Sequence, residues 1–207
     1  ARAVERSGLR TDLEWALTGR PALTYDLNRF NAEDTRRAEL LAVPITLLIL
    51  IFAFRSLVAA SLPLVLALVS TTVTLGLLSL LAGSLALSNL VQSIAGMVGL
   101  ALGIDYSLFL IHRYRTAVAR LRAEQPQSAP REVGREALQE AMTNAGGAVF
   151  YAGLTVLVGM GALLVTPLME TQSMGLAGCL VVAVTVAAAL TLLPALLTLL
   201  GPDLLVW

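Results

Sequence analysis

The chain has 207 residues, of which 57% are apolar and only 14% are charged, and its mean hydropathy is +0.81. A soluble domain is nearer to roughly 45–50% apolar, with roughly a quarter of its residues charged. The composition therefore excludes an ordinary soluble globular domain and indicates a membrane protein. The formal net charge is zero, and we expect no nucleic-acid partner.

Five apolar segments follow a polar N-terminal stretch, and each is predicted to be a transmembrane helix. Since a span needs about 20 predominantly apolar residues, the shortest apolar run, Leu40 to Phe54, is expected to extend outward past Glu39. The sequence thus predicts an all-α membrane protein, a five-helix polytopic bundle. The predicted spans are residues 36–54, 57–82, 89–111, 146–165 and 172–200.

The polar segment 112–143, between the third and fourth spans, sets the predicted orientation. It contains six arginines against four glutamates, and arginine-rich loops near span ends lie on the cytoplasmic side. Five spans then place the N-terminus outside the cell membrane and the C-terminus in the cytoplasm. Within this segment Ser128 is expected to cap a second helix with one apolar face, which lies along the membrane surface or under the bundle.

Residues 1–32 are the remaining polar part, with a short alternating pattern around Trp15 and a turn from Gly19 to Pro21. About thirty residues are too few to bury a core of their own. We interpret them as the remnant of a larger extracytoplasmic domain, with residues 33–207 forming the transmembrane domain. The chain is thus expected to be either a fragment or a half-sized subunit.

Asp105 is the only carboxylate or basic residue inside any of the apolar runs. A carboxylate near the middle of a bilayer costs roughly 2.5–3.5 kcal/mol on insertion scales, and such residues usually bind or move something charged. Because desolvation favours the neutral form of a carboxyl group, reversible protonation is the favoured function. A hydrogen bond between helices or a structural ion pair are the alternatives, but no span carries a basic residue at this depth.

Small residues flank Asp105 and recur in the fourth span. Gly99 and Gly103 share one side of the third helix, and Ala152 and Thr155 belong to a similar small stripe in the fourth. Small side chains let membrane helices approach closely, so we expect these two helices to pack tightly together. Thr155 could then donate a hydrogen bond to Asp105.

The sequence contains no glycine-rich phosphate loop, no cluster of metal ligands and no Ser/His/Asp set. We therefore expect neither an enzyme nor a metal or other cofactor. The lone cysteine, Cys179, lies inside an apolar run and is most simply a small membrane-embedded residue, so no internal disulfide is possible.

The segment Gly103-Ile-Asp-Tyr-Ser-Leu-Phe109, followed by Arg113-Tyr-Arg115, resembles the resistance–nodulation–division (RND) superfamily, and most closely its MmpL-type transporters of lipids and hydrophobic molecules. The likeness continues at Phe54-Arg-Ser56, at Gly153-Leu-Thr-Val156 and at the end of the fifth span. It covers nearly the whole chain, in the family order, as helices two to six of the first transmembrane half.

The resemblance implies export of lipids or hydrophobic molecules across the bacterial cytoplasmic membrane, driven by the proton-motive force. Asp105 and Tyr106 match the fourth-helix pair of the family's proton relay, and Ala152 stands where relatives often have serine. The matching pair belongs to a second half, so the implied partners are membrane lipids, a hydrophobic substrate, and a second transmembrane half or another copy.

Two other functions stay open from the sequence. One is a sterol- or lipid-sensing membrane module that does not transport, and the other is a proton-driven accessory of protein secretion. Asp105 discriminates against the first, because a sensor that only binds a lipid between helices has no need of a carboxylate in the membrane.

Overall fold

The computed structural model describes Arg37, residues 40–81 and residues 90–202 of the chain. Its described part is helical, without strands, and we number the helices in chain order. They are α1 (Leu40–Phe54), α2 (Leu57–Leu81), α3 (Leu90–Glu124), α4 (Pro130–Ala141), α5 (Gly147–Ala162) and α6 (Met169–Leu200). A π-helical turn, Met142–Gly146, joins α4 to α5, and a 3-10 turn, Leu163–Val165, ends α5.

Residues 130–165 therefore form one continuous rod, and the described residues make five rods in all. Helices α2, α3 and α6 and this rod are long and apolar enough to cross a membrane, whereas α1 is shorter. The predicted all-α membrane bundle is confirmed. The proposed extension of α1 past Glu39 and the proposed N-terminal remnant, residues 1–32, lie outside the described residues.

Helix α3 lies at the centre of the packing. It packs against α2 on one side and α6 on another, and α5 packs mainly against α6. A Cβ atom placed on Gly99 would meet Thr71, and one on Gly103 would meet Ala67, so α2 and α3 run antiparallel. Proline residues sit inside α2 and α6, at Pro63 and Pro194, without ending either helix.

The 35 residues of α3 give it a length of about 52 Å at 1.5 Å per residue, against a hydrocarbon layer of about 30 Å. Its C-terminal end therefore projects beyond the apolar layer, and α4 folds back against it. A Cβ on Gly134 of α4 would lie 3.3 Å from the Tyr114 hydroxyl and 3.1 Å from Cδ of Pro202. Helix α4 thus docks where the ends of α3 and α6 meet.

The prediction that Ser128 caps α4 is wrong. Helix α4 begins at Pro130 with Ala129 as its N-cap, without a side-chain cap hydrogen bond. The hydroxyl of Ser128 lies 3.1 Å from Oε1 of Gln125 instead. Proline is favoured at the first helical position because its ring presets the helical φ and its missing N–H would be unpaired there anyway, so this helix starts without a hydroxyl cap.

Candidate functional site

Asp105 faces away from the bundle. It lies in an exposed stripe of α3 that also contains Met97, Ala101, Leu108 and His112. These residues are spaced by three or four positions, so they share one face of the helix. Asp105 is therefore a carboxylate on an outer face whose other members from Met97 to Leu108 are apolar.

The Asp105 carboxylate forms neither a hydrogen bond nor an ion pair with any residue that the structure describes. The hydroxyl of its neighbour Ser107 donates to the Gly103 carbonyl at 2.6 Å, within the same helix. A partner for Asp105 is thus missing from the residues that the structure describes.

Tyr106 points in a different direction from Asp105, into the bundle. Only 7% of its surface is exposed, and its hydroxyl is buried without a hydrogen-bond partner among the described residues. A Cβ placed on Gly153 of α5 would lie 3.7 Å from that hydroxyl. The side chains of the sequence neighbours Asp105 and Tyr106 therefore lie in different environments, one outside the bundle and one beside Gly153.

Gly99 and Gly103 do not pack against α5. A Cβ on Gly103 would lie 2.8 Å from Cα of Ala67, and one on Gly99 would lie 2.6 Å from Oγ1 of Thr71. Both of these contacts are with α2, and the Cβ on Gly99 would also lie 2.9 Å from Cγ2 of Val181 in α6. The expectation that these glycines mediate tight packing between the third and fourth spans is therefore wrong, because a small-residue stripe indicates a close neighbour but does not identify it.

Ala152 and Thr155 lie on the exposed outer surface of α5. The Thr155 hydroxyl donates to the Tyr151 carbonyl of its own helix at 2.9 Å, rather than to Asp105. The Tyr106 hydroxyl lies near Gly153. Asp105 and Ala152 directly precede these two residues in the chain, so they are at a similar height in the bundle. The candidate residues thus form two groups, an outward group of Asp105, Ala152 and Thr155 and an inward group of Tyr106, Gly99 and Gly103.

A polar cleft lies further along α3, where the π-helical turn meets it. Its volume is about 420 Å³, and it lies beside the ion pair between Arg120 and Glu140, whose nitrogen and oxygen are 2.5 Å apart. Sequence patterns did not indicate this cleft, because the π-helical turn that shapes it has no sequence signature of its own. Its lining residues are Leu121, Glu136, Gln139, Glu140, Thr143 and Asn144.

The fold and the site together define a class, a polytopic membrane protein that exposes a single carboxylate on the apolar outer face of a central helix. All of the chain, residues 1–207, matches the MMPL family, and the chain belongs to that family.

Several relatives match most of the chain. It is 37% identical over 185 residues to a membrane protein of Streptomyces coelicolor, covering 89% of this chain and 25% of that protein. It is 36% identical to the mycolic acid-containing lipids exporter MmpL11 of Mycolicibacterium smegmatis, covering 91% of this chain and 19% of the exporter. It is 27% identical to the trehalose monomycolate exporter MmpL3 of the same organism, covering 90% and 17% of the two chains. The chain thus spans a quarter or less of these relatives.

Proposed function

We propose that this chain is part of a proton-coupled exporter of lipids or other hydrophobic molecules, and that Asp105 is a proton-binding carboxylate of that exporter. The observation that carries the proposal is the position of Asp105, outward on an apolar helix face and without a partner in the described part of the chain. Membership of the MMPL family supports a transport function.

The charged form of Asp105 is costly in a lipid environment. Exposing a carboxylate to lipid costs roughly 2.5–3.5 kcal/mol at the centre of a span, whereas moving one charge across 100 mV is worth about 2.3 kcal/mol. Binding and releasing a proton at Asp105 therefore changes the energy of the helix by an amount comparable to the driving force. Tyr106, one position along α3, is the second member of the proposed relay.

A second protein surface is needed to cover Asp105. The outward stripe of α3 is exposed around Asp105, which supports an interface there, and Ala152 and Thr155 of α5 are exposed at a similar height. The proposed occupant is a second transmembrane half or another copy of the chain. Two carboxylates that met there would favour sharing one proton, and Thr155 would support the relay from its edge.

The names of the relatives support a hydrophobic cargo. One is named an exporter of mycolic acid-containing lipids, another an exporter of trehalose monomycolate, and a Mycobacterium tuberculosis relative is named a heme uptake protein. Parts of the transporter outside this chain choose the substrate. Residues 1–32 of this chain belong to an extracytoplasmic domain. We place segment 112–143 on the cytoplasmic side of the bacterial cell membrane, because it is rich in arginine.

The test is lipid export by the intact parent transporter carrying Asp105→Asn, which keeps the size of the side chain but cannot release a proton. We expect export to fall to background while the amount of folded protein is unchanged. The matched control is His112→Gln, which removes the other titratable group of the same stripe and is expected to retain export. Export by Asp105→Asn at the wild-type rate would contradict the proposal and would favour a lipid-sensing module.

A further inference from the structure

Helix α1 is anchored to the rest of the bundle near its C-terminal end. Leu50 and Phe54 are 3% and 4% exposed and belong to the main apolar core. Toward the N-terminal end of α1, Leu41 and Ile45 are exposed. Phe52, in the last turn, lies on the outer face and is 88% exposed. The contact that fixes α1 therefore lies in its last two turns.

Arg115 of α3 binds this anchored end. Its Nη1 donates to the Phe54 carbonyl at 2.7 Å, and its guanidinium carbon lies 5.6 Å from the centre of the Phe54 ring. The last carbonyls of a helix have no partner inside the helix, and they form its negative end. A guanidinium here makes a charge-assisted hydrogen bond and a cation–π contact with the same residue.

The turn that follows Phe54 is tightly determined. Arg55 has a φ of +51°, the left-handed region that few residues other than glycine adopt. Its N–H donates to the Ile51 carbonyl at 2.7 Å, which ends α1. The next residue, Ser56, is buried, and its hydroxyl accepts a hydrogen bond from the N–H of Ala59 at the start of α2. Two hydrogen bonds therefore fix the corner between α1 and α2, directly after the residue that Arg115 contacts.

We propose that Arg115 is a positioning residue that couples α1 to the helix that carries Asp105. Arg115 lies ten residues after Asp105, about 15 Å along the same helix at 1.5 Å per residue. Movement of α3 when Asp105 gains or loses a proton is transmitted to α1 through the Phe54 contact. This inference rests on the proposed function for its effect on transport, but the contact itself does not.

Arg113 provides a matched control because it makes the same kind of contact without joining two helices. Its guanidinium lies 5.6 Å from the ring of Phe109, four residues earlier in α3. Replacing Arg113 removes a charge and a cation–π contact at nearly the same height. It leaves the link between α1 and α3 intact.

The first test measures the distance between α1 and α3 in the intact parent transporter, in membranes. Spin labels are placed at Phe52→Cys and Ala119→Cys, both exposed, in a background without other cysteines. We expect Arg115→Met to broaden the distance distribution at least twofold and Arg113→Met to leave it unchanged. Arg115→Lys, which keeps a donor but lacks the planar guanidinium, is expected to restore part of the narrow distribution. Should Arg115→Met fail to fold, Arg115→Lys takes its place, and its distance distribution is then expected to be broader than that of the wild type.

The second test measures lipid export and proton flux in the same vesicles. Arg115→Met is expected to lower export at least tenfold while at least a third of the proton flux remains, because the relay works but no longer moves α1. An equal fall of both would indicate a general loss of structure and would overturn the inference. So would an unchanged distance distribution in Arg115→Met, or equal broadening in Arg113→Met. Failure of the proposed function would appear separately, as unchanged proton flux in Asp105→Asn.

Discussion

Gly103→Ala perturbs the closest approach of α2 and α3. The added Cβ would lie 2.8 Å from Cα of Ala67 and 3.1 Å from its backbone nitrogen, whereas ordinary contacts begin at 3.4 Å. Because the obstacle is backbone, no side-chain rotation relieves it. The two helices must move apart by about 0.6 Å, the difference between 2.8 and 3.4 Å.

The size of the effect follows from that displacement. A gap of about 0.5–1 Å forfeits a quarter to a half of the dispersion energy of the atoms concerned, and overpacking a core typically costs about 1–3 kcal/mol. The matched control is Gly76→Ala in α2, where a Cβ would meet no atom within 4 Å. Both variants gain the same helix propensity, so the difference between them isolates the packing cost.

Cys179 supplies the assay, in the intact parent transporter with any other cysteines replaced. Cys179 is half-buried in α6, with its sulfur 3.8 Å from the Leu157 carbonyl of α5, so a thiol-reactive dye reports when these helices separate on heating in detergent. At about 2–4 °C per kcal/mol for a chain of this size, we expect Gly103→Ala to unfold several degrees below Gly76→Ala. Equal midpoints would refute the close approach at Ala67.

Two further predictions concern polar groups. Tyr106→Phe removes a buried hydroxyl that lacks a partner among the described residues, so the midpoint in the same dye assay is expected to stay equal or to rise, by up to about 1 kcal/mol of stability. Lipid export by the intact parent carrying Tyr106→Phe should nevertheless fall at least tenfold. An unfolding midpoint below that of the wild type would contradict the predicted stability. Glu140→Gln removes the ion pair with Arg120, whose side chains are 32% and 54% exposed. Such pairs contribute less than about 1 kcal/mol, so a midpoint drop above about 4 °C would be inconsistent with a surface role.

The helices and the isolation of Asp105 were predictable because both are local properties of the sequence. Hydropathy over about 20 residues is sufficient to identify a span, and a single carboxylate in an apolar run is visible without any knowledge of packing. The outward position of Asp105 is not predictable from hydropathy, because hydropathy does not tell which face of a helix its neighbours cover.

The contacts between helices were not predictable because they join residues far apart in the chain. The sequence predicts that the glycine stripe around Gly103 on the third span packs against the fourth span, yet the neighbour of Gly103 is Ala67 in the second. Arg115 reads in the sequence as one of several arginines after a span, although it binds Phe54, 61 positions away. The residue type of Ser128 predicts a cap for α4, but Pro130 begins that helix without a side-chain cap.

The most direct test of the central claim is proton movement through the intact parent transporter in sealed vesicles under an imposed pH gradient, followed with a pH-sensitive dye inside. With wild-type protein and with His112→Gln, we expect proton flux that depends on the transporter. With Asp105→Asn, we expect flux no greater than in vesicles without protein. Wild-type flux in Asp105→Asn would show that protons cross without this carboxylate and would contradict the account.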